Sequence, residues 1–308
     1  MDRIDELQAI IKQDPSNFQA MRELAASLLE IGENEEALKH LFYLVGIFPE
    51  DSRLHYNIGI IWEKLKYNNK AIESYKKALK INPNEPDFLY NLGCAYIQNS
   101  DYDKAIPFFQ KVLESDENDS NSYFNLGLIY SRKEDSQESI KNLEKTLSIN
   151  PKDTIARFYL AYEYKNTKKI KEAISEYKTV IEECPDYSWA YFNLASIYWE
   201  QNDIENAILN IEKAIQINPK DVNSYKIYAQ ILAKLNFPDE AKLILKSGLK
   251  ENPLAADLYY ALAQVYKKLN NKESYEKCLK NALKNHSQLS FHPKYVKKEL
   301  DLSIKHSN

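Results

Sequence analysis

The sequence predicts an all-α fold built from repeated helical hairpins, and three regularities support this prediction. Proline, small residues and large apolar residues each recur at fixed positions of a 34-residue period. Seven of the eleven prolines lie on this lattice: Pro15, Pro49, Pro83, Pro151, Pro185, Pro219 and Pro253. Self-similarity at a fixed period of this length indicates an array of stacked repeats.

The first half of each period predicts one helix, which we call helix A. When positions are counted from Phe18 in steps of 34, positions 4, 7, 8 and 11 fall on one helical face. Position 7 is large and apolar in every period, so we expect this face to be buried. Position 8 is always small: Ala25, Gly59, Gly93, Gly127, Ala161, Ala195, Ala229 and Ala263.

The second half predicts helix B, with positions 20, 24 and 27 on one face. Helices approach closely only where side chains are small, so positions 8 and 20 mark the crossing of helices A and B. Short polar turns at residues such as 32–34 and 99–101 separate the two helices, and the lattice proline ends helix B. Position 20 is Ala37, Ala71, Ala105, Ser139, Ala173, Ala207 and Ala241, and then Tyr275.

This pattern resembles the tetratricopeptide repeat family over nearly the whole chain. Repeat 2, for example, carries the family's motif residues at Gly59, Trp62, Ala71, Tyr75 and Pro83. The resemblance implies a right-handed superhelical solenoid of stacked helix-turn-helix units. It divides the chain into an N-terminal capping helix (1–17), eight 34-residue repeats (18–289), and a C-terminal capping helix and tail (290–308).

The last repeat departs from the pattern, because Tyr275 replaces a small residue and Ser287 replaces the lattice proline. After it, Pro293 predicts the start of a helix. Its apolar residues Val296, Leu300 and Ile304 share one face. Because a stack exposes the apolar side of its last unit, we expect this helix to cover repeat 8.

Composition excludes several classes of function. The net charge of −4 and the ratio of 36 Lys to 5 Arg argue against a nucleic-acid partner. No glycine-rich nucleotide motif, CxxC pair or catalytic constellation occurs, so we expect no enzyme, no metal and no cofactor. The spacing of His286, His292 and His306 does not place them on one helix face, so they are not expected to bind a metal. His55 occupies a hairpin-core position and is expected to be a packed ring. Without a signal peptide or a membrane-spanning run, a cytoplasmic location and no membrane contact are expected.

The resemblance implies that helix A lines a concave groove with positions 2, 5, 9, 12 and 13. Position 6 beside this groove carries asparagine in four repeats: Asn57, Asn91, Asn125 and Asn193. In this family such asparagines can hold the backbone of an extended peptide, since an amide both donates and accepts. The alternative is that they make hydrogen bonds within the fold.

Aromatic and aliphatic residues concentrate in the groove positions of repeats 4 to 6. They predict a site for a partner peptide with apolar or aromatic anchors, because tryptophan is common in binding hot spots. The alternative is that these rings pack against neighbouring A helices. The predicted contacts are Phe124, Leu128, Phe158, Tyr162, Trp189, Phe192 and Trp199, with the four asparagines beside them. Lys226, Gln230 and Ala261 do not complete the family's carboxylate clamp for acidic chaperone tails.

The favoured function is therefore a non-enzymatic protein–protein interaction adaptor. Two alternatives remain open at this point. Residues 1–50 carry a net charge of −6 and residues 264–308 a net charge of +6, so the chain could be a scaffold that self-associates through its ends. It could also be an accessory subunit of a separate enzyme.

Overall fold

The computed structural model describes residues 3–305, so Met1, Asp2 and the last three residues, including His306, lie outside it. The described part holds eighteen α-helices and one short 3₁₀ turn, and no strand. The predicted all-α class is confirmed. The A helices are α2 (Phe18–Ile31), α4 (Ser52–Lys64), α6 (Pro86–Gln98), α8 (Ser120–Arg132), α10 (Thr154–Asn166), α12 (Ser188–Glu200), α14 (Val222–Lys234) and α16 (Ala256–Lys268).

Each A helix is followed by a B helix after a turn of two or three residues. The B helices are α3 (Asn34–Ile47), α5 (Asn68–Ile81), α7 (Tyr102–Ser115), α9 (Ser136–Ile149), α11 (Ile170–Glu183), α13 (Ile204–Ile217), α15 (Pro238–Glu251) and α17 (Lys272–Lys284). The chain forms two compact units, one ending at Ala156 and one starting at Arg157, and the division falls inside α10.

The hairpins cross where a small residue of helix A meets a large residue of helix B. Position 24 of helix B is almost completely buried in every repeat, and in the three repeats with glycine at position 8 it lies against that glycine. A Cβ atom placed on Gly59 would lie 2.5 Å from a ring carbon of Tyr75, and one on Gly93 would lie 2.8 Å from the ring of Phe109. The small residues at position 8 are therefore a steric requirement of the hairpin.

The turns between helices A and B share one backbone conformation. Position 15 has a positive φ in all eight repeats, although glycine occurs there only once: Gly32, Lys66, Ser100, Glu134, Lys168, Asn202, Asn236 and Asn270. This residue reverses the chain at the end of helix A, as αL residues do at many helix ends. The hairpin turn is thus set by backbone geometry and hardly by residue type.

The first unit begins with α1 (Arg3–Gln13), a B helix without its A helix. Its Leu7 corresponds to position 24 and is buried like Leu41 in the next B helix. Ile4 and Ile11 pack against the same apolar cluster. The helix therefore covers the apolar side of repeat 1.

The second unit ends with α18 (Lys294–Lys305), which behaves as an A helix without its B helix. If Lys294 is counted as position 1, the buried residues Val296 and Leu300 occupy positions 3 and 7. Ile304, expected on the same face, is instead 42% exposed. It occupies position 11, which normally packs in a hairpin, and no B helix follows within the described residues.

Candidate peptide-binding face

Two of the predicted asparagines bond to a tyrosine of the preceding repeat. Nδ2 of Asn91 donates to the hydroxyl of Tyr56 (2.5 Å), and Nδ2 of Asn125 donates to the hydroxyl of Tyr90 (3.0 Å). In both pairs position 5 of one A helix is joined to position 6 of the next. Asn125 also donates to the Asn121 carbonyl. Burial raises the pKa of Tyr90 to about 12, so this hydroxyl stays neutral.

The other two asparagines lack such a tyrosine partner. Asn57 follows a repeat with Arg22 at position 5, and Arg22 pairs with Asp51 at 2.9 Å. Asn193 follows Phe158, which has no hydroxyl, so its amide donates to the Trp189 carbonyl and is buried. Three of the four asparagines therefore use an amide N–H inside the fold.

The predicted aromatic contacts fall in both units. In the first unit, Phe124 and Leu128 of α8 are half-buried. In the second unit, Phe158 is partly buried: its ring lies 5.1 Å from the Tyr187 ring and 5.6 Å from the Tyr177 ring, so it packs against the core. The remaining four rings lie on α10 and α12, whose small residues Ala161 and Ala190 share one apolar cluster.

These four rings of the second unit form what we call the aromatic face: Tyr162, Trp189, Phe192 and Trp199. Tyr162 is 40% exposed and Trp189 is 47% exposed, and Trp189 packs edge-on against Phe192 at 5.9 Å. Trp199 is half-buried, with Nζ of Lys234 lying 4.6 Å from its ring centre. A cation over an aromatic ring is attractive, so Lys234 and Trp199 stabilise each other.

Lys165, which occupies the position of Trp199 one repeat earlier, adds a second cation to this region. Burial lowers its pKa, while Glu200 opposes the shift. The aromatic face therefore combines large rings with lysines.

The sequence patterns missed an interaction at the end of the second unit. Residues Ser290 and Phe291 lie across the A helices of repeats 7 and 8 and border a cleft of about 320 Å³. The Ser290 N–H donates to Asp257 (2.9 Å), and the Phe291 ring packs edge-on against Tyr260 at 4.9 Å. The break in the proline lattice at Ser287 is the only sequence signal for this segment.

Two carboxylates hold this end of the chain. Asp257 is buried, and burial opposes ionisation, yet hydrogen bonds from Lys226 and Ser290 keep its pKa below the usual range. Glu299 of α18 accepts hydrogen bonds from Tyr260 (2.8 Å), Gln264 (3.0 Å) and Tyr275 (2.9 Å). Burial raises the pKa of the Glu299 carboxyl group, but these hydrogen bonds lower it by more. The pKa of Glu299 is therefore below its ordinary value. With Lys294 as position 1, Glu299 occupies position 6 of α18. It is hydrogen-bonded to Tyr260 at position 5 of the preceding A helix, just as Asn91 is to Tyr56.

Other reactive groups have structural roles. His55 lies 2.8 Å from the Pro49 carbonyl, and Tyr259 makes the corresponding bond to Pro253. Burial raises the pKa of the Cys94 thiol to about 12 and that of Cys278 to about 11, which suppresses their reactivity. Across residues 3–305 no group of three or more His, Cys, Asp and Glu side chains is placed to hold a metal. None of the described helices is long and apolar enough to cross a bilayer.

Solved structures with similar folds include two that are described as tetratricopeptide repeat proteins. A tetratricopeptide repeat protein from Parabacteroides merdae is 18% identical with a TM-score of 0.59, and the match covers 93% of this chain and 98% of that one. YrrB, described as a TPR protein with an unusual peptide-binding site, is 23% identical with a TM-score of 0.53, over 62% and 97% of the two chains. PilF of Pseudomonas aeruginosa is 17% identical with a TM-score of 0.59, over 69% and 97%. At these identities the likeness concerns the fold.

Sequence comparison agrees with the fold. A search of curated proteins finds no match to this chain. Family profiles described as TPR repeat match residues 64–100 and 162–202. Profiles described as tetratricopeptide repeat match 1–52, 86–119, 108–141, 190–221 and 256–285. The chain therefore belongs to the tetratricopeptide repeat family of helical protein–protein interaction modules.

Proposed function

We propose that this protein is a non-enzymatic adaptor that holds an extended segment of a partner protein on the aromatic face. The observation that carries the proposal is the exposure of large rings on adjacent A helices. Trp189 is about half exposed and packs against Phe192, and Tyr162 is nearly as exposed as Trp189. Folded proteins seldom leave clustered aromatic surface uncovered without a binding use. Tryptophan and tyrosine are also the residues most often found in hot spots.

The chain's own end suggests what such a ligand looks like. Ser290 and Phe291 lie on the A helices of repeats 7 and 8, with a backbone N–H on Asp257 and an aromatic ring on Tyr260. By analogy, a partner segment would place aromatic or large aliphatic side chains against Trp189 and Trp199. Its backbone would remain free to bond polar groups beside them.

Selection of a random peptide library on the purified protein tests this proposal. We expect the enriched peptides to contain aromatic or aliphatic anchors. Trp189→Ala and Trp199→Ala should each weaken their binding by about 2 kcal/mol or more if the rings are hot spots. Isothermal titration calorimetry gives the affinities, and circular dichroism checks that helicity is unchanged.

Leu243→Ala is the matched control, because Leu243 is an exposed apolar residue on a B helix of the same unit. It should leave peptide affinity unchanged. Equal losses from all three variants, or no loss from either tryptophan variant, would remove the aromatic face as the binding surface.

A further inference from the structure

Helix α3 differs from the other B helices on its solvent-facing side. Position 25 is Phe42 in this helix but polar or charged in the others: Lys76, Gln110, Glu144, Lys178, Glu212, Lys246 and Lys280. Position 26 is Tyr43, and elsewhere Lys77, Lys111, Lys145, Thr179, Lys213, Ser247 and Asn281. The repeat lattice is thus an internal control, and it shows that aromatic residues are not needed at these positions for the fold.

The two aromatic residues are accessible. Phe42 is 51% exposed and Tyr43 is 54% exposed, while the opposite side of α3 is buried through residues such as Leu41 and Leu44. In the next repeat, Lys76 places its ammonium over Tyr96; the equivalent Phe42 instead lies 6.4 Å from the ring of Trp62. A helix that is apolar on both sides is normally covered on both sides.

Gly46 lies one turn after Phe42 on the same exposed stripe of α3. A Cβ atom added there would meet no atom within 4 Å, so no contact inside the chain requires glycine. Gly46 is the second-last residue of α3, and glycine in a helix is less favourable than alanine because it loses more backbone freedom on folding. The other repeats carry Lys80, Glu114, Ser148, Glu182, Gln216, Lys250 and Lys284 at this position. We call the open space above Gly46 the notch. A glycine that weakens its own helix and leaves such a space is consistent with the close approach of a second molecule.

We propose that this stripe of α3 is the interface of a homodimer, with α3 of two copies packed antiparallel about a two-fold axis. A two-fold interface requires a surface that is complementary to itself. Phe42 is a ridge and Gly46 is a notch one helical turn away, so the antiparallel arrangement inserts the ridge of each copy into the notch of the other. The charges agree, because Lys39, which is exposed and also pairs with Glu36 at 2.6 Å, lies at one end of the stripe, and the exposed Glu50 lies beyond the other.

Sedimentation velocity of the full chain over a range of concentrations tests the proposal. We expect the wild-type protein to dimerise. Phe42→Lys, which introduces the residue type found in most other repeats, should weaken dimerisation by at least tenfold while retaining helicity. Leu209→Lys is the control, because Leu209 is 63% exposed on α13 and lies outside the stripe. A monomeric wild type, or a Phe42→Lys variant that dimerises normally, would overturn the proposal.

A complementation experiment tests the two-fold geometry. Phe42→Gly leaves two notches on the stripe, and Gly46→Phe leaves two ridges. Each variant alone should associate at least tenfold more weakly than the wild type. Their equimolar mixture should form a heterodimer, because ridges then meet notches. Folded variants that fail to associate when mixed would contradict this pairing of Phe42 with Gly46.

Discussion

The approach of helices A and B depends on single residues at positions 8 and 24. Tyr75 fills the space opposite Gly59, and its hydroxyl is held by Glu63 at 2.9 Å. Tyr177 occupies position 24 opposite Ala161, and its buried hydroxyl has no hydrogen-bond partner. Each of these repeats thus pairs a large buried ring at position 24 with a small residue at position 8.

Gly59→Ala should therefore destabilise the first unit by about 1–3 kcal/mol, because the added methyl group overlaps the Tyr75 ring. Urea unfolding followed by circular dichroism measures the change. Gly46→Ala, measured at a protein concentration low enough for the chain to be monomeric, is the matched control, since its methyl group meets nothing of the same chain within 4 Å and alanine favours helix. It should stabilise the protein by up to about 1 kcal/mol. The opposite order of stability would show that position 8 tolerates a larger residue.

Position 15 offers a stabilising substitution. Glu134 has a φ of 60°, a conformation that costs a residue with a Cβ about 1–2 kcal/mol. Glu134→Gly should raise the unfolding free energy by about 0.5–1 kcal/mol, because glycine loses this strain but pays more backbone entropy. Glu114→Gly, at an exposed position inside α7, should lower it by about 1 kcal/mol. If Glu134→Gly destabilises the protein as Glu114→Gly does, the turn is not strained.

At the scale of elements, the ends of the repeat array are closed by half-hairpins. Helix α1 supplies a B helix and α18 an A helix, and each buries only the residues that face its neighbouring repeat. The outer side of α18 carries Lys297 and Asp301 at positions 4 and 8, where a complete hairpin has hairpin-core and small residues. Because a charged residue at position 8 blocks a helix crossing, this end does not favour the stacking of another hairpin.

Glu299 makes the docking of α18 sensitive to acid. Its pKa is lowered in the folded chain, so its contribution is present above the ordinary pKa of a carboxyl group and is lost as pH falls through the lowered value. Glu299→Gln should weaken the docking of α18 by about 1.5–3 kcal/mol at pH 7 and flatten its dependence on pH between roughly 6 and 3. Hydrogen exchange of residues 294–305 as a function of pH measures the docking. Asp301→Asn, at an exposed neighbouring position, is the control and should have little effect.

At the scale of the whole molecule, each helix packs mainly against helices adjacent in sequence. Within the first unit α6 contacts α5, α7 and α8, and within the second unit α14 contacts α12, α13, α15 and α16. Stability in such a chain is the sum of repeats and their nearest-neighbour interfaces. A substitution that disrupts one repeat should therefore destabilise that repeat and its immediate neighbours more than the rest of the chain.

Ala105→Leu and Ala207→Leu test this property in the two units. Both alanines occupy position 20 and are completely buried, so the larger side chain should cost about 1–3 kcal/mol. Hydrogen exchange should show lost protection in repeat 3 and its neighbours for the first variant. For the second variant the loss should centre on repeat 6. A uniform loss of protection along the chain in either variant would indicate a single cooperative unit.

The sequence alone determined the repeat architecture, because its signals are local and occur many times. The proline lattice and the small residues at positions 8 and 20 specify where helices begin, end and cross, and the bounds of all sixteen repeat helices follow the 34-residue register. Because the same signals recur in each repeat, a single exception such as Ser139 does not change the predicted architecture.

Only the tertiary structure decided which side chains are used inside the fold. The partner of an asparagine at position 6 lies 35 residues earlier, so Asn91 and Asn193 look alike in sequence but differ because Tyr56 has a hydroxyl and Phe158 has none. The exposure of Trp189 and the packing of Phe158 against Tyr177 and Tyr187 likewise depend on contacts across repeats. The packing of Phe291 against Tyr260 has no counterpart in the other repeats, so no period predicts it. The repeat register singles out Gly46 as unusual, but only the structure shows that the space above it is open.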